Sequence, residues 1–155
     1  MAFDLRSALP VLLPKAVAWA NEQSEIAIRQ GRALDDSLLA IAHGVGVAEP
    51  QRVRILDVHR LPMPEDPLLS QAAIGTGLLG PNMVGLTLGY AVFICQGFGQ
   101  DLRLLSHEFR HVHQYERAGS IAAFLPVYLE QIATAGYSNA PLEIDARAHE
   151  YCRLR

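Results

Sequence analysis

His107-Glu108-Phe109-Arg110-His111 lies in the middle of a segment, residues 101–118, that the sequence predicts to be one α-helix ending at Gly119. Residues four positions apart lie one above the other on a helix, so both histidine side chains point to the same side. Two imidazoles in this arrangement can bind one zinc ion. Glu108 lies about 100° further around the helix. There it can hold a water molecule beside the ion and accept its proton, as the general base of a metallopeptidase does.

The rest of this predicted helix favours a buried metal site. Four apolar residues share one side and are expected to pack on the core: Leu102, Leu105, Phe109 and Val112. The side that carries His111 and Glu108 also carries Leu104 and Tyr115, so the metal face has apolar neighbours. The alternative, a pair of capped or solvent-facing histidines, does not account for this pattern.

A zinc site needs a third protein ligand, usually Glu or His. His113 lies about 240° around the helix from His107, away from the metal face, and is expected at or near the surface. The extended HExxHxxGxxH pattern is excluded, because Gln114 and Arg117 stand where it has Gly and His. Glu130 lies opposite the apolar residues of its own helix and is expected to be solvated. The spacing leaves four candidates on the last predicted helix: Glu143, Asp145, His149 and Glu150.

The sequence around this helix resembles a known group of proteins. Two stretches carry the resemblance: Thr87-Leu-Gly-Tyr-Ala-Val-Phe-Ile94 and Leu104-Leu-Ser-His-Glu-Phe-Arg-His-Val-His-Gln114. They look like the HExxH domain of bacterial contractile-injection-system and toxin-associated proteins, in which a strand precedes the zinc helix. More broadly they look like a small gluzincin, the peptidase group that includes thermolysin and the CAAX-prenyl proteases. The resemblance covers residues 84–150.

This resemblance implies a third ligand. In gluzincins the third ligand is a Glu on a later helix, often in the pattern E-x-x-A-D. Glu143-Ile-Asp-Ala-Arg147 matches the Glu and the Ala, so Glu143 is the implied ligand and Asp145 is the alternative. The last Asp of that pattern often orients a zinc histidine, which Arg147 cannot do. The resemblance also implies that residues 85–95 include an edge strand that pairs with extended substrate; an ordinary core strand is the alternative.

The remaining pattern predicts one α+β domain over residues 1–155. N-terminal helices are expected in residues 1–50, at 14–30 and 34–43. Strands and loops are expected in residues 51–100, with strands at 52–58 and, single or paired, at 85–95. Metal-site helices follow in 101–155, including one from Ser120 to Ala135 that Pro126 either kinks or truly starts, and one that begins at Pro141. With the resemblance, this order implies a zincin-like fold, in which a small antiparallel or mixed sheet packs on the HExxH helix.

Composition narrows the class of protein. Residues 67–100 contain no charged side chain, although 19% of the chain is charged. Their glycines and Pro81 argue against a membrane span and predict turns and short strands. The net charge of −3 argues against a dedicated nucleic-acid binder. Residues 8–13 resemble a signal peptide, but Asp4 and Pro14 interrupt that pattern, so a cytoplasmic location is expected and secretion is the minor alternative. Cys95 and Cys152 are expected to be reduced thiols, with a single bridge as the alternative.

The expected function is a zinc-dependent peptidase that acts on a peptide or protein. His107, His111 and Glu143 would hold Zn²⁺, and Glu108 would be the general base. Three residues are candidates, by position only, for the donor to the oxyanion: Tyr137, His149 and Tyr151. A catalytically silent zinc scaffold or interaction module is the alternative, favoured by Arg147 and by the 12 residues that follow Glu143. A membrane-surface protein that uses the uncharged stretch is a third hypothesis.

Overall fold

The fold is α+β, as the sequence predicts. The structure is a computed structural model that describes residues 4–151. Six α-helices form in those residues: α1 (Leu5–Gln30), α2 (Asp36–Gly44), α3 (Pro67–Gly75), α4 (Leu102–Ala118), α5 (Ile121–Ala135) and α6 (Pro141–Ala148). The same residues form one 3-10 turn, Pro50–Arg52, and four strands: β1 (Arg32–Ala33), β2 (Arg54–Val58), β3 (Gly85–Leu88) and β4 (Ala91–Cys95).

The four strands form one mixed sheet in the order β1-β2-β4-β3. β2 and β4 run parallel, whereas β1 pairs with β2, and β3 with β4, in antiparallel fashion. Residues 85–95 are therefore two paired strands rather than one. Within the described residues β3 lies at an edge of the sheet, which agrees with the edge strand that the resemblance implies.

The sheet lies between two layers of helices. On one face, Ala91 and Phe93 of β4 belong to a core that also contains buried side chains of α1, α3 and α5. On the other face, Val92 and Ile94 belong to a core that they share with α2 and α4. Successive side chains of a strand point to opposite faces, so β4 is buried on both sides. This double burial explains why the strand has no charged residue.

The helices around the candidate metal site begin where the sequence predicts, and α4 and α5 also end there, whereas α6 ends at Ala148, before His149 and Glu150. The carboxylate of Asp101 accepts a hydrogen bond from the backbone N–H of Leu104 and caps α4. Gly119 ends α4 in a left-handed conformation, with φ +99°. Ser120 caps α5 through a bond from the N–H of Ala123, and Pro141 opens α6 at its first position. Local signals are therefore sufficient for these boundaries.

Two predictions at the helices are wrong. α1 begins at Leu5 rather than at residue 14, and it contains Pro10 and Pro14, although a proline inside a helix removes a backbone hydrogen bond. The buried side chains of the first two turns account for this: Leu5, Leu9 and Leu12 pack in the core with the sheet. α3 also lies in the charge-free stretch, where strands and loops are predicted. Asp66 caps α3 and Pro67 opens it, the same signals that mark the other helices.

Smaller differences concern element ends. The predicted strand at 52–58 is two residues shorter, because Arg52 belongs to the 3-10 turn and β2 begins at Arg54, and the two-residue β1 has no predicted counterpart. The predicted helix at 34–43 begins two residues later, because Asp35 is its N-cap. Pro126 lies inside α5 and does not start it.

Other composition-based predictions have these outcomes. No helix within residues 4–151 combines the length and the hydropathy that a membrane span needs. The apolar run at residues 8–13 forms part of α1. Cys95 is a half-buried free thiol, whereas Cys152 lies outside the described residues.

We expect Phe109→Ala to lower the free energy of unfolding by about 3–5 kcal/mol, because Phe109 is fully buried between α4 and the sheet. Urea denaturation measures this change. Phe98→Ala is the matched control, since Phe98 is 39% exposed, and it should change stability by about 0.5 kcal/mol or less. Equal losses for the two variants would contradict this placement of the core.

Candidate metal centre

Three side chains converge between α4 and α6. α4 presents His107 and His111, and the first turn of α6 presents Glu143. The Nε2 atom of His107 lies 3.2 Å from Oε1 of Glu143, and the Nε2 atom of His111 lies 2.9 Å from Oε2. One ligand atom from each of the three residues falls within 4.8 Å of the others. The structure therefore brings together the three ligands that the sequence and the resemblance indicate.

The outer nitrogens of both histidines have their own hydrogen-bond partners. The Nδ1–H group of His107 donates to Glu150 (2.8 Å), and that of His111 donates to the side-chain oxygen of Gln114 (2.7 Å). The amide nitrogen of Gln114 donates to the backbone oxygen of Leu142, which leaves its oxygen for His111. Both Nε2 atoms therefore point to Glu143.

This set of donor atoms fits a zinc ion. Two imidazole nitrogens and one carboxylate are the protein ligands of many catalytic zinc sites, which keep the fourth position for water or substrate. Zinc–nitrogen bonds of 2.0–2.1 Å place neighbouring ligands of a tetrahedral ion about 3.3 Å apart. The distances of 2.9 and 3.2 Å from the imidazoles to Glu143 are close to that spacing. Small side-chain movements would therefore accommodate the ion.

The charges at the centre are strongly coupled. Burial by itself raises the pKa of Glu143, but hydrogen bonds from His107 and His111 outweigh it and hold that pKa well below its ordinary value. Burial opposes the charged form of His107 too, yet its bond to Glu143 and the charge of Glu108 raise the pKa of His107 to about 9. The hydroxyl of Tyr128 also donates to Glu143, at 2.7 Å. Without a metal, the buried carboxylate therefore keeps protons on the imidazoles.

Glu108 lies beside the three ligands and is not one of them. Its Oε1 atom accepts a hydrogen bond of 2.7 Å from the hydroxyl of Thr87 on β3. Glu108 is only 5% exposed. Gly85 permits the close approach of β3, because a Cβ atom there would lie 3.0 Å from Oε2 of Glu108. The edge strand thus holds the carboxylate that the sequence predicts to be the general base.

Asp145, the alternative ligand, lies outside this cluster. Its carboxylate accepts bonds from Arg110 at 2.8 and 3.2 Å. The bonds from Arg110 lower the pKa of Asp145 to about 2, against partial burial, and Gln114 adds to this effect. His113 donates to the backbone oxygen of Gly46, away from the centre as expected. Glu130 is also as expected, with a side chain that is 55% exposed.

Of the three candidate oxyanion donors, Tyr137 alone lines the two cavities that border the centre. His149 follows the end of α6, where its Nδ1–H group donates to the backbone oxygen of Asp145, so it is not at the centre. Tyr151 is 42% exposed, and its backbone N–H donates to Ser106. The prediction of His149 as a catalytic residue is therefore not supported by its placement.

Sequence reasoning assigned no role to Thr87, Gln114 or Tyr128, and it considered Glu150 only as a candidate ligand, whereas Glu150 accepts the Nδ1–H bond of His107. Tyr128 looked like one more member of the apolar side of α5, although a buried tyrosine hydroxyl usually needs a partner. The resemblance implies that an Asp at position 147 orients a zinc histidine. Glu150 accepts that bond from His107 instead, and Arg147 donates to the backbone oxygen of Ser138. Gln114 had a usable signal, since it lies three residues after His111 on the same helix.

Comparison with known proteins adds no relative, since no family model, no curated protein and no solved structure matches this chain. Its function must therefore be inferred from the centre itself. That centre consists of three convergent ligand atoms, a carboxylate beside them, and supporting residues from β3, α4 and α5 and from the segment after α6.

We expect zinc binding to release protons near neutral pH. His107 has a raised pKa of about 9 in the metal-free protein, and an imidazole must lose its Nε2 proton to bind a metal. Zinc affinity should therefore weaken as the pH falls from about 9. Calorimetric titrations in buffers of different ionisation enthalpy count the protons. Zinc binding at pH 7.5 without proton release would contradict the charge state described here.

Glu150→Ala should weaken zinc binding about 10–100-fold, because it removes the acceptor that orients His107. Glu150→Asp should recover part of this loss. Arg147→Ala is the control: Arg147 contacts Ser138 rather than a ligand, so its loss should leave zinc affinity nearly unchanged. Competition with a chromophoric chelator measures all four proteins. Equal affinities for Glu150→Ala and the wild type would show that Glu150 does not orient His107.

Proposed function

We propose that this protein is a zinc-dependent peptidase with a zincin-like, gluzincin-like centre. One observation carries the proposal: Nε2 of His107, Nε2 of His111 and the carboxylate of Glu143 converge, while Glu108 lies beside them. A purely structural zinc site is usually closed by four protein ligands. Three ligands with an adjacent, separately held carboxylate favour a site that activates water.

The chemistry follows from the position of each group. Zinc held by His107, His111 and Glu143 would supply a Lewis acid and would lower the pKa of a bound water to about 7. Glu108 would accept a proton from the attacking water while the oxygen of that water adds to the scissile carbonyl carbon. When the carbon–nitrogen bond breaks, Glu108 would return that proton to the leaving nitrogen. Water is consumed, and an amine and a carboxylic acid are released.

Tyr137 is the proposed donor to the oxygen of the scissile carbonyl. Burial raises the pKa of its hydroxyl, and the charge of Glu143 raises it further, so the group stays protonated at neutral pH. A protonated hydroxyl can stabilise the negative charge that develops on that oxygen. The position of Tyr137 beside both cavities supports this role.

An open cleft gives a peptide access to this centre. The cleft has a volume of about 320 Å³ and reaches His107, Glu108 and Tyr137. Residues 82–85 form one of its walls, and the wall leads into the edge strand β3. A peptide in extended conformation could add to that edge through backbone hydrogen bonds. At the other end of β3, Ser24 of α1 donates to the backbone oxygen of Leu88, so the Gly85 end is the one left for substrate.

Glu108→Gln should leave zinc binding intact and lower the rate of peptide hydrolysis at least about 100-fold, because the amide cannot accept the proton. A fluorogenic peptide library and metal analysis of the same samples measure both properties. Glu65→Gln is the matched control, since Glu65 is an exposed carboxylate far along the chain from the centre.

Each other outcome has a distinct meaning. Zinc binding without hydrolysis by the wild type would favour the silent zinc scaffold. Hydrolysis that persists in Glu108→Gln would exclude Glu108 as the base. A protein that takes up no zinc would contradict the proposed centre altogether.

A further inference from the structure

A second cavity, distinct from the open cleft, also borders the candidate metal centre. This apolar chamber has a volume of about 120 Å³ and lies among α1, α3, β3 and α5. Most of its wall is hydrocarbon, including Leu12, Ala16, Trp19, Leu79, Leu86 and Leu129. At one end the wall consists of Glu108, His111, Tyr137 and Glu143. The apolar chamber therefore directly adjoins the side chains of the candidate metal centre.

Small side chains on α1 and α3 account for the empty space in the chamber. Protein interiors are close-packed, and an empty apolar void of this size lowers stability. Four alanines line the chamber where larger side chains would fill it: Ala16 and Ala20 of α1 and Ala72 and Ala73 of α3. These four alanines keep the chamber open.

The chamber and the cleft share four residues: Met83, Gly85, Glu108 and Tyr137. A group that enters from the cleft would therefore reach the chamber by passing Glu108 and Tyr137. Glu108 and Glu143 are the acidic groups at this end, the imidazole of His111 is already paired with Glu143, and no lysine or arginine lines the described wall. An anionic group would be repelled there, and a polar one would lose its hydration without gaining a partner.

We propose that the chamber binds one compact apolar group, which a substrate supplies as the side chain of the residue beside the scissile bond. The second half of this statement rests on the proposed peptidase function, whereas the first half does not. An apolar cavity of about 150 Å³ in another protein binds benzene, so a phenylalanine ring or a leucine side chain matches the chamber in size. α1 and α3 precede residues 84–150, so these walls belong to the part of the chain outside the resemblance.

Trp19 provides a direct test, because it is the single tryptophan of the chain and it lines the chamber. Metal-free protein is titrated with benzene while Trp19 emission is recorded. The wild type should show a saturable change. Ala16→Leu and Ala73→Leu should each lose it, because the added atoms would fill the space from two different helices. Ala18→Leu is the matched control on α1, where Ala18 is exposed, and it should respond like the wild type.

A second arm uses zinc-loaded protein and peptides that differ only in the residue beside the cleaved bond. Phenylalanine or leucine should be preferred over alanine and aspartate at least about tenfold, since such pockets discriminate about 10–200-fold per methylene group. Ala16→Leu should reduce this preference, and Ala18→Leu should keep it.

The two arms separate the possible failures. An absent benzene response, or the same response in Ala16→Leu and Ala18→Leu, would overturn the chamber as a binding site. Cleavage with an unchanged ranking of peptides in Ala16→Leu would overturn its role in specificity while the peptidase function stands. A specific benzene response without any peptide cleavage would support the chamber and contradict the proposed function.

Discussion

The buried carboxylate of Glu143 is the group on which the rest of the centre depends. It is 1% exposed, and an ionised carboxylate in such a place is costly unless it is paired and hydrogen-bonded. His107 and His111 of α4 and Tyr128 of α5 supply those bonds. One carboxylate on α6 thus ties three helices together, and the same contacts bring the imidazole nitrogens to within metal-binding distance of one another.

A set of polar contacts around α4 holds α6 in the position that this arrangement needs. Arg110 binds Asp145 of α6 and the backbone oxygen of Val45, which follows α2. Gln114 donates to both Leu142 and Asp145. Glu116 accepts bonds from the N–H groups that follow α2 and from Tyr90. Polar residues of α4 outside the three candidate ligands therefore anchor α6, the segment after α2 and Tyr90 to this helix.

The charge-free stretch has three connected roles in this architecture. It forms β4, which is buried on both faces, and β3, whose Thr87 holds Glu108. It also forms α3, which closes one side of the apolar chamber. Each role favours apolar or small residues, because β4 is buried in the core and β3 and α3 line the apolar chamber. The missing charges thus accompany buried strands and the wall of that chamber.

The sequence by itself determined the features that depend on neighbours along one helix: the histidine pair, the carboxylate beside it, the caps of α4 and α5, and the proline that opens α6. The α+β class also followed from local pattern, whereas the structure decided that residues 85–95 form two paired strands rather than one. Glu143 came from resemblance, and spacing alone did not separate it from Asp145. Only the tertiary structure decided that Asp145 pairs with Arg110 and that Glu150 accepts a hydrogen bond from His107. It also decided that α1 continues through two prolines. These outcomes depend on how segments distant in sequence pack together. The hydrophobic periodicity and the capping residues of a single segment do not determine that packing.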